Sequence, residues 1–179
     1  MPLYALGALE PDIHPEAFVH PLAVIIGQVR VGSESTIWPG AVLRGDGAGI
    51  IIGARTSIQD NAVIHNTDEL PTVVGDDVTV GHLAHLEGCT VENEALVGVG
   101  SVVLHEAVVG RGALVGASAV VTNHMKIPPL ALAVGVPAKI REGYLAEGQN
   151  REDALNYVAR GRRYRAEMRE ISPQEMGKR

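Results

Sequence analysis

From Val31 to Val121 the apolar residues recur every six positions. Written in lines, Val31-GSEST-Ile37-WPGAV-Leu43 is followed by Ile52-GARTS-Ile58-QDNAV-Ile64 and Val74-GDDVT-Val80-GHLAH-Leu86. Val91-ENEAL-Val97-GVGSV-Val103 and Val109-GRGAL-Val115-GASAV-Val121 complete the set. All fifteen anchor slots hold Val, Ile or Leu, and Gly follows the anchor in seven of them. Residues four after an anchor are mostly small, as at Ser35, Thr56, Ala62, Ala84 and Ala95. A helix repeats every ~3.6 residues and a strand every ~2, so a period of six fits neither alone. It fits a chain wound as a triangular prism, with one hexad to a side. The anchors point inward, and the tight corners call for small or glycine residues. Hexapeptide repeats are a β-helix signature, so the expected fold is an all-β solenoid.

Two junctions are longer than the rest. "RGDGAGI" separates Leu43 from Ile52, and "HNTDELPTV" lies between Ile64 and Val74. Both read as loops leaving a rigid scaffold, where function concentrates. After Val121 the repeat dissolves into "TNHMKIPPLALAVGVPAKIRE". There Pro128 and Pro129 interrupt regular structure, and Val134-Gly135 reads as a last strand. Leu155, Val158, Tyr164 and Met168 then fall at roughly helical spacing, which predicts an α-helix over about Glu152 to Ile171, with Gly161 a weak point. The chain divides into a β-helix over 1–145 and, over 146–179, a C-terminal helix and tail packed on it. The cluster Arg160, Arg162, Arg163 and Arg165 reads as a solvated or subunit-contacting face, and the final "SPQEMGKR" is expected to fray.

Composition fits this picture. Hydrophobic residues make up 46% of the chain but aromatics only 3%, which suits a narrow, regular aliphatic core. A net charge of −6 lacks the basic footprint of a nucleic-acid binder. Cys89 is the single cysteine, so no internal disulfide forms. The start shows no basic-then-apolar leader. No apolar run reaches the ~18 residues of a membrane span. The expectation is a soluble, cytoplasmic protein with no nucleic-acid or membrane partner.

The prism also places the polar residues. Coils of parallel strands stack ~4.8 Å apart, and the residue after an inward anchor points outward. Arg44, His65 and Glu87 therefore share one outer row. His65 and Glu87 lie on neighbouring coils, close enough to share one ion. His85 precedes Glu87 by two residues on the same strand. His82 is near the preceding corner, five residues of extended chain from Glu87, on the order of 15 Å. Within one chain it does not reach His65. Across a boundary between prisms packed around a threefold axis it does, so ligand placement predicts an interface site in a homotrimer.

These residues resemble the γ-class carbonic anhydrase-like proteins, a family of left-handed parallel β-helices. The resemblance runs from about Tyr4 to Arg141. It is carried by "RGD" at Arg44 to Asp46, "IQDNAVIH" at Ile58 to His65, "VGH" at Val80 to His82, "GC" at Gly88-Cys89 and "GVPAK" at Gly135 to Lys139. It implies a homotrimer whose metal (zinc, or another divalent ion such as iron or cobalt) lies between subunits on three histidines. Residue by residue these fall on His65, His82 of a neighbour and Glu87, so a carboxylate occupies one histidine slot. Three arrangements stay open: Glu87 ligates, His85 replaces it with Glu87 as its partner, or the residues only make polar contacts. Arg44 and Asp46 are implied as a cross-subunit ion pair. Gln59, with Asp60 beside it, is implied to orient substrate or metal-bound water. The family's archetypal active enzyme has an acidic residue just after "RGD", and here Gly47 stands there.

The implied activity is reversible hydration of carbon dioxide to bicarbonate by a zinc-bound hydroxide. It is expected to be slow, because a carboxylate ligand weakens the Lewis acid. The alternatives are a hexapeptide acyltransferase, for which "GVPAK" also speaks, an acyl-CoA thioesterase, and a non-catalytic trimeric binding module. The enzymatic readings share a small-molecule substrate.

Overall fold

The computed structural model describes residues 2–172. The chain winds as a left-handed parallel β-helix with three faces. Most of its strands are two or three residues long, because each side of the prism uses little more than an anchor and the residue before it. On the first face Ile13, Val31, Ile52, Val74, Val91, Val109 and Ile127 stack in register. Val19, Ile37, Ile58, Val80, Val97, Val115 and Ala133 stack on the second. Ile25, Leu43, Ile64, Leu86, Val103 and Val121 stack on the third. All fifteen anchors read from the sequence are buried in one continuous core.

The repeat runs further than those lines at both ends. Ile13, Val19 and Ile25 precede Val31, while Ile127 and Ala133 follow Val121. Pro128 and Pro129 do not end it. They lie between the strands Lys126–Ile127 and Leu132–Val134, where the chain turns and few backbone donors are needed. The solenoid closes where Leu132–Val134 pairs antiparallel with Lys139–Arg141. Among the described residues no helix is long and apolar enough to cross a membrane.

The corners correct the expectation of small or glycine residues. At each of ten corners a non-glycine residue has a φ between 54° and 62°, including Glu34, Arg55, Asn61, Asp77, Leu83 and Glu106. The left-handed conformation costs an ordinary side chain about 1–2 kcal/mol, and the stacked hydrogen bonds on either side hold it. Glycine fills the same corner slot at Gly40, Gly100 and Gly112, and after the anchors it serves a second need, the close approach of coils. A Cβ on Gly98 would lie 2.6 Å from the Val115 carbonyl oxygen. The first insertion is likewise not a loop. Val42–Ile52 is one strand that pairs with Val24–Val31, Val63–His65 and Thr72–Val74 at its two ends, and residues 46–49 are taken up as a shift of register opposite Gly27 and Val29.

The C-terminal helix spans Arg151–Glu167, ending four residues before the predicted Ile171. It lies on the early coils of the second face. The buried stripe is Ala154, Val158 and Gly161, while Leu155 faces out. Gly161 is the contact point rather than a weak one, since a Cβ there would lie 2.5 Å from Thr36 Cγ2. Trp38 lies beneath this helix, with ring centroids 5.7 Å from Tyr157 and 5.0 Å from Tyr164. Its Nε1 donates to Thr36 Oγ1 at 2.9 Å. Arg162 and Arg165 bind Glu34 and the Pro15 carbonyl within the chain, so this cluster is not simply a solvated face. The expected fraying of the tail falls, from residue 173 on, outside the described residues.

Val97 is fully buried. An unpaired charge there has no partner in an aliphatic core, so Val97→Asp is expected to abolish the cooperative thermal transition in circular dichroism. Gly161→Val is milder. Overpacking against Thr36 should lower unfolding free energy by about 1–3 kcal/mol, read by urea titration, while the β-helix itself persists.

Candidate metal centre

Strand pairing sets Arg44 beside His65 and His65 beside Glu87 on the third face, as the hexad register predicts. Each follows a buried anchor and so points outward. His65 lies between two carboxylates. Its Nδ1 is 2.7 Å from Glu87 Oε1 and its Nε2 is 3.0 Å from Asp46 Oδ1. Arg44 Nη1 donates to the other Asp46 oxygen. Within the single chain Arg44 and Asp46 pair with each other. His85 Nε2 lies 3.3 Å from Glu87 Oε2, so His85 belongs to the cluster.

His82 stands apart, beside the corner that leads into this face. Its Nδ1 is 3.0 Å from Asp60 Oδ2, and its backbone N–H donates to Gln59 Oε1 at 3.2 Å. Gln59 and Asp60 thus gather at His82 and not at His65. The single chain divides the predicted residues into two groups: Arg44, Asp46, His65, His85 and Glu87 in one, and Gln59, Asp60 and His82 in the other. Among the described residues no three His, Cys, Asp or Glu side chains are disposed to hold a metal ion.

One neighbour was not picked out from the sequence. His105 Nε2 lies 3.7 Å from Glu87 Oε2, and this nitrogen is buried without a hydrogen-bond partner. A signal was present. His105 is two residues past Val103, and the same slot one coil earlier holds Gly88. A Cβ on Gly88 would lie 3.2 Å from His105 Cδ2, so the glycine leaves the imidazole its space.

Gly47 has a steric cause. A Cβ there would lie 2.4 Å from the Thr67 carbonyl oxygen and 2.6 Å from Asn66 Nδ2. An acidic side chain in that slot requires the backbone to move. Cys89 is 2% exposed. Burial pushes its thiol up to about 12, which leaves it an inert packing residue.

The two carboxylates are tuned by their partners. Burial pushes the Glu87 carboxyl up, but hydrogen bonds from His65 and His85, with their charge, outweigh it and hold the group below its ordinary value. Burial opposes ionisation of Asp46 too, and His65 and Arg44 overcome it. A carboxyl depressed in the folded state contributes stability that is present above the unfolded pKa and lost as pH falls through the folded one. Stability should therefore decline as pH falls below about 4. Glu87→Gln should flatten that decline in urea unfolding at stepped pH.

Comparisons with known proteins agree with this architecture. The family described as "Bacterial transferase hexapeptide (six repeats)" matches residues 10–45. The chain is 41% identical over 135 residues to the mitochondrial γ carbonic anhydrase 2 of Arabidopsis thaliana, covering 72% of this chain and 49% of that one. It thus spans about half the length of that relative. It is 45% identical over 141 residues to the carnitine operon protein CaiE of Citrobacter koseri, covering 79% of this chain and 72% of CaiE. The crystal structure of a hexapeptide transferase family protein from Anaplasma phagocytophilum matches with a TM-score of 0.85 at 36% identity, over 91% of this chain and 98% of that one. Fold, register and sequence together place the chain in the family of γ-carbonic-anhydrase-like hexapeptide-repeat proteins.

Proposed function

We propose that this protein is a metalloenzyme that reversibly and slowly hydrates carbon dioxide to bicarbonate, at a divalent metal shared between subunits of a homotrimer. The observation that carries the reading is the arrangement of His65. A histidine that ligates through one nitrogen commonly gives the other to a carboxylate. Asp46 takes Nε2 at 3.0 Å, and Nδ1 is directed to Glu87 at 2.7 Å. Imidazole and carboxylate donors fit such an ion, and zinc accepts two histidines with a glutamate. His65 and Glu87 of one chain and His82 of its neighbour would hold it, with His85 behind Glu87. A bound zinc, iron or cobalt ion supplies the Lewis acidity that lets water ionise near neutral pH.

The chain's own surface supports the trimer. Leu22 and Leu83 are 68% and 63% exposed at the corner that carries His82, with Val99 alongside and Val63 on the adjoining face. Packing this corner of one prism against the third face of the next would bury these side chains. It would also bring His82 toward His65 and Glu87. Gln59 is anchored through its oxygen on the His82 N–H, which leaves its amide nitrogen to orient a small substrate. The negative charge of Glu87 and the closed slot at Gly47 are the reasons to expect a slow reaction. The likeness to a hexapeptide transferase structure favours acyl transfer as the second reading, with His65 as a base held by Asp46.

In elemental analysis of freshly purified protein, His65→Ala and His82→Ala should each lose the metal while still sedimenting as trimers. Glu87→His should keep it and move the pH–rate profile for hydration toward neutral pH, because the metal sheds a negative ligand. A Glu87→Ala protein that keeps metal, beside a His85→Ala protein that loses it, would assign the third position to His85. Unchanged metal content in all four alanine variants would remove the metal reading, and acyl-CoA turnover by metal-stripped protein would then favour the transferase.

A further inference from the structure

We infer that His105 is a positioning residue for Glu87, an inference that rests on the metal reading above. The starting point is an unmet nitrogen. His105 Nε2 is buried and has no hydrogen-bond partner. Leaving a buried polar atom unpaired is unfavourable, because the contacts it had with water are not replaced. The acidic oxygen facing it is Glu87 Oε2 at 3.7 Å, about 0.7 Å beyond an ordinary hydrogen bond. Rotation of the carboxylate toward His105 would narrow that gap.

The two oxygens of Glu87 play different parts. Oε1 meets His65 Nδ1 at 2.7 Å. Oε2 faces His85 Nε2 at 3.3 Å and His105 Nε2 at 3.7 Å. These two imidazoles come from successive coils and approach the same oxygen. An oxygen with two lone pairs accepts from both. Held in this way, Oε2 fixes the carboxylate plane and leaves Oε1 for the ion. This matters because glutamate replaces a histidine. An imidazole presents one donor atom on a short, stiff side chain, whereas a glutamate has an extra rotatable bond and two equivalent oxygens. A glutamate in that slot needs an outside hold to bind through one oxygen, and His105 is placed to provide it. Gly88, at a φ of +58°, leaves room for both Leu70 and the His105 ring, since a Cβ there would lie 3.1 Å from Leu70 Cβ and 3.2 Å from His105 Cδ2.

The test uses the full-length protein stripped of metal and titrated with cobalt(II), followed by visible absorption, which reports both affinity and ligand geometry. Wild type, His105→Ala, His105→Leu and His105→Gln are compared, with sedimentation and melting of the same samples. Loss of a partner to a ligating carboxylate should weaken binding about 10- to 100-fold in the alanine and leucine variants. The leucine variant fills the space without a donor, and it carries the comparison should alanine loosen the fold. The glutamine amide N–H reaches the place of Nε2, so His105→Gln should bind within a few-fold of wild type with the same spectrum. Alanine and leucine variants that bind cobalt as wild type does would overturn the proposal. So would a glutamine variant as weak as alanine, which would make His105 itself a ligand. A wild type that takes up no cobalt would overturn the metal reading on which the proposal rests.

Discussion

The close stacking of one coil on the next governs this molecule. Backbone hydrogen bonds hold successive coils in register, and the glycine after an anchor allows the approach. At Gly98 there is no room for even a methyl group above the Val115 carbonyl. Because every coil repeats this contact, a residue's offset from its anchor determines its row. Arg44, His65 and Glu87 are neighbours for that reason alone. The candidate centre is thus a by-product of the scaffold's periodicity, and its side chains converge without any dedicated loop to hold them.

Much of this was legible in the sequence because periodicity is an unusually strong signal. Fifteen anchors predicted the core, the faces and the row of His65 and Glu87. Part of what escaped detection lay where the residue types break the pattern. Ala133 fills an anchor slot where Val, Ile or Leu was sought, and with Pro128 and Pro129 nearby the last coil looked like its end. The corners were misjudged because the left-handed turn constrains the backbone and leaves the side chain in solvent, so Glu34, Arg55 and Asp77 serve as well as glycine. Trp38 and Gly161 could be read only together. The indole is covered by the chain's own helix, which comes close because position 161 has no side chain. His105 was missed because its significance depends on Gly88 one coil away.

The electrostatics of the centre follow from one exchange, a carboxylate where a neutral imidazole is the family's habit. Glu87 does not sit there as an isolated charge. Imidazoles approach it from its own coil and from the coils on either side, and Arg44 with Asp46 closes the other flank of His65. The cluster behaves as one charge-compensated unit, in which altering any member changes what its neighbours must balance. His82 with Asp60 is a second and simpler unit at the corner. The division of the site between two edges of the same prism makes the quaternary arrangement part of the chemistry under the proposed reading.

The continuity of strand Val42–Ile52 has an entropic meaning. Arg44 is paired with His65, and two residues past Asp46 the Ala48 N–H bonds the Thr67 carbonyl at 2.9 Å. A segment tied in this way does not swing. The flank of the centre that Arg44 and Asp46 form is fixed by the scaffold's own hydrogen bonds. Under the proposed reading, the cost of ordering Arg44 and Asp46 would be met when the coil folds and not again when a small molecule binds.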